Sequence, residues 1–257
     1  MAAQRLIRGR WLIADPASEG GAIADGAVAV EGERITFVGT YEEARAHAPG
    51  AETIGDGTGL LIPGLVNTHH HGRGVSAFQL GVVDDRLEPW LLDWRGMKPL
   101  DAYLDTVYSS TKLISTGVTT IIHSGVARDL GRYAEDARAH LRAYEDAGLR
   151  VSYALQTLDR RSFTEEADER FLACLPAKVR RQIEEAVAEM GPSGTDDFET
   201  LLEELFETYD GHSRLKIMIS PVGPNWCTDE LLLRCGEMAR AAGSGLHLHC
   251  LESPFQQ

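Results

Sequence analysis

From Leu65 onward, short apolar runs rich in β-branched residues alternate with longer helical stretches, and this alternation constrains the fold more than any other feature of the chain. Leu60 to Val66, Gly117 to His123, Arg150 to Leu155, Leu215 to Ile219 and Gly245 to Cys250 each have strand length and are punctuated by glycine, proline or charge. Between them, Tyr133 to Ala147 reads as a helix stopped by Gly148 at a C′ position. Thr228 is an N-cap for a helix reaching Ala242, and two or three Glu-rich helices are expected across residues 165–209. A loop and helical region occupies residues 75–115. Strand, helix and parallel strand in repetition is the signature of βα units, so the class is α/β, with about five such units.

The preceding stretch differs. Residues 5–62 read as β-structure, with a hairpin from Ala27–Val30 to Arg34–Gly39 across a glycine-containing connection, one or two helical turns over Tyr41 to His47, and a turn-rich link from Gly50 to Gly59. Such a segment is too small to bury a core alone. The expected division is therefore 1–62 and 63–257.

Chemistry concentrates where the apolar runs end. The run from Leu60 to Val66 reads as a short buried strand leading into His69, His70 and His71. Side chains alternate along a strand, so His69 and His71 share one face and His70 takes the other. A second cluster, His247, His249 and Glu252, ends the last apolar run. Imidazole nitrogen suits Zn²⁺ and also Fe²⁺, and a catalytic site leaves one position open for water.

The segment Pro63-Gly64-Leu65-Val66-Asn67-Thr68-His69-His70-His71, with the later His249-Cys250-Leu251-Glu252, resembles the amidohydrolase superfamily in its cytosine-deaminase and chlorohydrolase branch. The resemblance implies a (β/α)₈ TIM-type barrel, incomplete here, preceded by the first part of a small β-sandwich. It implies that His69, His71 and His249 bind one divalent metal ion, with Zn²⁺ first and Fe²⁺ second. Glu252 would be the catalytic proton shuttle. A strand-six histidine and a strand-eight aspartate would lie beyond residue 257. A complete barrel needs about 250 residues, more than follow Pro63, so the chain is expected to be the N-terminal part of a longer protein. The reaction implied is hydrolysis of a non-peptide C–N bond, deamination of an aromatic N-heterocycle by metal-activated water. A chloro- or N-alkylamino-hydrolase, or a catalytically inactive truncated relative, is the alternative.

Other residues admit two readings. Gln79, Trp94 and Asn225 are candidates for substrate contact; Trp90 and Trp94, at near-helical spacing, read more as core residues, and Asn225 equally as part of a structural turn. His247 reads as a neighbour of the ligands or as core, His70 as packing on the opposite face, and His123 has undecided parity. Lys216 begins its strand, away from the catalytic end, which argues against a binuclear site bridged by a carboxylated lysine.

Composition bounds the partners. A net charge of −14 with scattered basic residues argues against nucleic acid and anionic membrane. No apolar run approaches the ~20 residues needed to span a bilayer. The four cysteines show no Cys-x-x-Cys spacing. A small heterocyclic substrate, a cytoplasmic setting and possible homo-oligomerisation complete the expectation.

Overall fold

The computed structural model describes residues 4–18, 20–98, 100–125, 130–160, 168–189, 195–254 and 256. It divides into two compact units, Met1–Gly64 and Leu65–Gln257.

The first unit contains β1 (Gln4–Arg8), β2 (Trp11–Ile13), β3 (Ala22–Ala24), β4 (Gly26–Glu31), β5 (Arg34–Thr40), α1 (Tyr41–His47), β6 (Glu52–Ile54) and β7 (Leu60–Leu61). Two small sheets result, ordered β5-β4-β1-β6 and β3-β2-β7. The antiparallel β4–β5 pair is the hairpin expected from sequence. Helix α1 begins with a reciprocal cap, in which the Thr40 side chain accepts from the Glu43 backbone and the Glu43 carboxylate accepts from Thr40. Leu6, Ala27, Ala29, Ala44 and Ala48 form a small core of mostly methyl-sized side chains.

The second unit contains β8 (Leu65–His70), α2 (Leu87–Gly96), α3 (Ala102–Ser115), β9 (Val118–Ser124), α4 (Tyr133–Ala147), β10 (Arg150–Thr157), α5 (Asp168–Ala173), α6 (Ala177–Glu189), α7 (Thr195–Thr208), β11 (Leu215–Pro221) and α8 (Asp229–Ala241). Its four named strands are parallel and ordered β11-β10-β9-β8, so each βα unit lays its strand beside the previous one. That is an arc of a TIM-type barrel. Ile121, Val151, Leu155, Leu215, Ile217 and Ile219 of the sheet pack with Leu141 and Tyr144 of α4 and with Leu201, Leu202 and Leu205 of α7. Helix ends follow local chemistry: Gly148 closes α4 at φ 81°, and the Thr228 side chain accepts from Leu231 N to open α8.

Three expectations need correction. The run Leu60–Val66 is not one buried strand. Pro63 and Gly64 divide it, so Leu60 and Leu61 pair with β2 while Leu65 starts β8. Leu65 and Val66 are 48% and 61% exposed because β8 is an edge strand. Next, the link from Gly50 to Gly59 is not only turn: it contains β6, which pairs in parallel with β1. Finally, Gly245 to Cys250 forms no regular strand, only an isolated Ile219–Leu246 bridge. The segment still runs beside β11, with alternate hydrogen bonds Ile219 N to Gly245 O, His247 N to Ile219 O and His249 N to Val222 O. The expected helices over 165–209 are α5, α6 and α7; residues 165–167 and 190–194 lie outside the described residues.

Candidate metal centre

A β-bulge prepares the first histidines. Asn67 pairs with Ile121 and His70 with His123, so β8 carries one residue more than β9 over this interval. The Asn67 side chain accepts from His69 N at 3.1 Å, replacing a ladder partner that the bulge removes. His69 and His71 then face the same side, their rings 4.8 Å apart and nearly perpendicular. His70 faces the other side. Its Nδ1 accepts from Gly72 N at 2.8 Å, which leaves Nε2–H to donate to Ser109 Oγ at 3.3 Å.

The turn after His71 has room for glycine alone. Gly72 has φ +69°, and a Cβ there would sit 2.6 Å from His123 Cε1. His123, whose parity sequence left open, is fully buried behind this turn, with Nδ1 2.8 Å from the Tyr144 hydroxyl.

The second half of the centre enters from the segment beside β11. The Val222 carbonyl accepts from both the backbone N–H and the Nδ1–H of His249, at 2.9 and 3.0 Å. Gly223 allows this approach, since a Cβ on it would lie 2.7 Å from the His249 carbonyl oxygen. His69, His71 and His249 each bring a nitrogen to a common point, all within 4.8 Å of one another. The His71 and His249 rings stack at 5.5 Å.

The donor set fits a metal ion. A carbonyl oxygen can only accept, so the Nδ1 of His71, 2.8 Å from Ser124 O, carries its proton, as does the Nδ1 of His249. A neutral imidazole has one N–H, and Nε2 is left with a free lone pair in both rings. Burial lowers the His71 pKa to about 3, and burial followed by the nearby His249 lowers that of His69, so both are neutral bases at pH 7. Glu252 lies close enough for its charge to oppose that shift at His69. It follows Leu251, a non-glycine residue held at φ 53°, which turns the chain after His249.

The remaining candidates are distributed unevenly. Trp94 is 4% exposed and lines a cavity of about 120 Å³ together with His71, Asp105 and His140. Its ring stacks on Trp90 at 6.0 Å and lies 4.4 Å beneath the Arg73 guanidinium. Gln79 is exposed, and its side-chain oxygen accepts from the Ser76 backbone and hydroxyl. Asn225 sits in the 3₁₀ turn Pro224–Trp226, half-buried. Lys216 lies near the start of β11, away from the histidines. His247, which sequence placed near the ligands or in the core, hydrogen-bonds directly to His69.

A parallel βα arc with histidines converging at the ends of its strands is the architecture of metal-dependent hydrolases. The chain belongs to the amidohydrolase family, whose model matches residues 60–254. It is 32% identical over 247 residues to the 5'-deoxyadenosine deaminase of Methanothermobacter thermautotrophicus, an alignment covering 91% of this chain and 47% of that protein. It is 26% identical over 237 residues to the 5-methylthioadenosine/S-adenosylhomocysteine deaminase of Symbiobacterium thermophilum, covering 89% and 45%. Among solved structures, an adenosine deaminase from Xanthomonas campestris with bound zinc shares the fold at TM-score 0.65 and 18% identity, covering 97% of this chain and 49% of that one. The chain thus spans about half the length of the curated relatives it matches.

Proposed function

We propose that this chain supplies the metal-binding and proton-transfer half of a hydrolase that deaminates an aromatic N-heterocycle, with an aminopurine nucleoside as the favoured substrate class. The convergence of His69, His71 and His249, with the Nδ1 protons of His71 and His249 fixed by carbonyl acceptors, is the observation that carries this reading. Zinc is the favoured ion, since imidazole ligands suit it and the fold relative from Xanthomonas campestris holds it. A divalent ion bound there would lower the pKa of water toward ~7 and so supply a nucleophile at neutral pH.

The chain's own residues would do the rest. Glu252, whose charge acts on His69, accepts a proton from the attacking water and passes it to the ring nitrogen beside the amino-bearing carbon. The same carboxylate then takes the second proton from the hydroxyl that water has left on the reacting carbon and passes it to the amine, so the C–N bond breaks, a ring carbonyl forms and ammonia leaves as a neutral molecule. Trp94, packed against both Trp90 and Arg73, gives the cavity beside His71 an aromatic wall for a planar ring. The nucleoside preference rests on the deaminases of 5'-deoxyadenosine and 5-methylthioadenosine to which the chain is similar.

The test, made on the whole hydrolase to which this chain contributes, combines zinc analysis with ammonia release from a panel of aminopurine nucleosides, aminopyrimidines and aminotriazines. The purified protein is expected to bind about one zinc per chain and a His69→Ala/His71→Ala variant none. Glu252→Gln is expected to keep the metal and lose ~10²–10⁴-fold in rate. Full metal occupancy without turnover of any panel member would mark a catalytically inactive relative and overturn the proposal.

A further inference from the structure

His71 and His249 each have a backbone carbonyl at Nδ1, an acceptor that cannot change role. His69 does not. Its Nδ1 lies 3.0 Å from Nε2 of His247, another imidazole, which can donate or accept. The ring centroids lie 5.2 Å apart with 28° between the planes. Only one proton arrangement is compatible with a metal at His69 Nε2: Nδ1–H of His69 donates, and Nε2 of His247 accepts. The reverse arrangement puts the proton of His69 on Nε2 and removes the lone pair that a metal needs.

We infer that His247 is a positioning residue that fixes the tautomer and ring orientation of His69, and so sets the affinity of the metal centre. The inference rests on the metal-binding reading of His69, His71 and His249 and adds a role for a fourth histidine that is not a ligand. The backbone supports it. His247 N donates to Ile219 O at 3.0 Å, which anchors the residue to β11, while His69 belongs to β8 at the opposite edge of the sheet. Because His247 and His249 are two residues apart on a strand-like segment, both reach His69: the first through a hydrogen bond, the second as a ring 5.1 Å away. One segment therefore provides a ligand and also orients another ligand that lies 178 residues from His247 in sequence.

The experiment measures zinc affinity by competition with a chromophoric chelator for wild type, His247→Ala and His247→Gln. A nitrogen-15 spectrum of the metal-free proteins reports which nitrogen of His69 is protonated. Loss of such a partner typically weakens metal affinity 10–100-fold, and that loss is expected for His247→Ala. Glutamine keeps a side-chain acceptor, so His247→Gln is expected to recover most of the affinity. In the wild type, His69 should carry its proton on Nδ1, and His247→Ala should mix the two tautomers. A thermal midpoint measured without metal separates a folding defect from an effect on the site. Tight zinc binding by the wild type with an unchanged constant in His247→Ala overturns this inference alone. Failure of the wild type to bind zinc overturns the metal-centre reading as well.

Discussion

At the scale of single residues, two histidines apart from the candidate ligands are expected to make the fold sensitive to acid. His123 is fully buried, its ring stacks on Tyr153 at 4.6 Å, and its Nε2 has no hydrogen-bond partner among the described residues. A neutral ring tolerates that position; an imidazolium does not, and burial holds its pKa well below the ordinary value. His140, with Nδ1 3.2 Å from the Tyr153 hydroxyl, is pushed by burial down to about 4. In the unfolded chain both titrate near ~6.5. The unfolded state therefore binds more protons than the native state below that pH. Stability from this source is complete above pH ~6.5 and is lost as pH falls toward the folded value near 4. Urea midpoints measured at steps from pH 7 to 4.5 are expected to fall, and less steeply in His140→Gln. Identical slopes in the two proteins would assign the acid sensitivity to other groups.

At the scale of elements, the segment carrying Glu252 is tied to α2. The Ser253 hydroxyl donates to the Glu88 carboxylate at 2.5 Å, and Glu252 N donates to the side-chain oxygen of Gln256. Leu251 holds a left-handed conformation between His249 and this anchor, a backbone state that costs of order 1 kcal/mol or more for a non-glycine residue. The Ser253–Glu88 bond offsets that strain, since hydrogen bonds to charged partners contribute about 1.5–3 kcal/mol. Ser253→Ala is expected to speed amide exchange at Glu252 by ~10-fold or more, and to leave metal content unaltered because none of the three candidate ligands is touched. Unchanged exchange at Glu252 would show that the anchor lies elsewhere.

For the whole molecule, the open sheet of the second unit is the dominant physical feature. Among the described residues, strand β8 pairs with β9 alone, and it carries exposed Leu65 and Val66. Beyond β11, the segment from Gly245 adds Leu246, Leu248 and Leu251, all exposed. Parallel strands are normally covered on both faces and flanked by neighbours, and an unpaired apolar edge is a template for association. Residues 1–257 by themselves are therefore expected to self-associate. Light scattering across a concentration series tests this, and a monodisperse monomer with one sharp unfolding transition would contradict it.

Local signals carried the sequence far. The ends of α4 and α8 were legible because Gly148 and Thr228 act within one turn of the backbone they terminate. The parity of His69, His70 and His71 was legible because alternation is a property of the strand itself. The family motifs then named His69, His71, His249 and Glu252 as one site, and the tertiary structure brings the three histidines together. Other features depend on partners far away in sequence. Leu60 and Val66 look like one run until Pro63 and Gly64 send them into separate units. Strand-like composition did not make Gly245–Cys250 a regular strand, because a ladder needs a neighbour as well as a propensity. The bulge in β8 arises only against β9. The link between His69 and His247 was the least legible of all: a hydrogen bond across 178 residues is decided by how the sheet curves, and no local pattern records that.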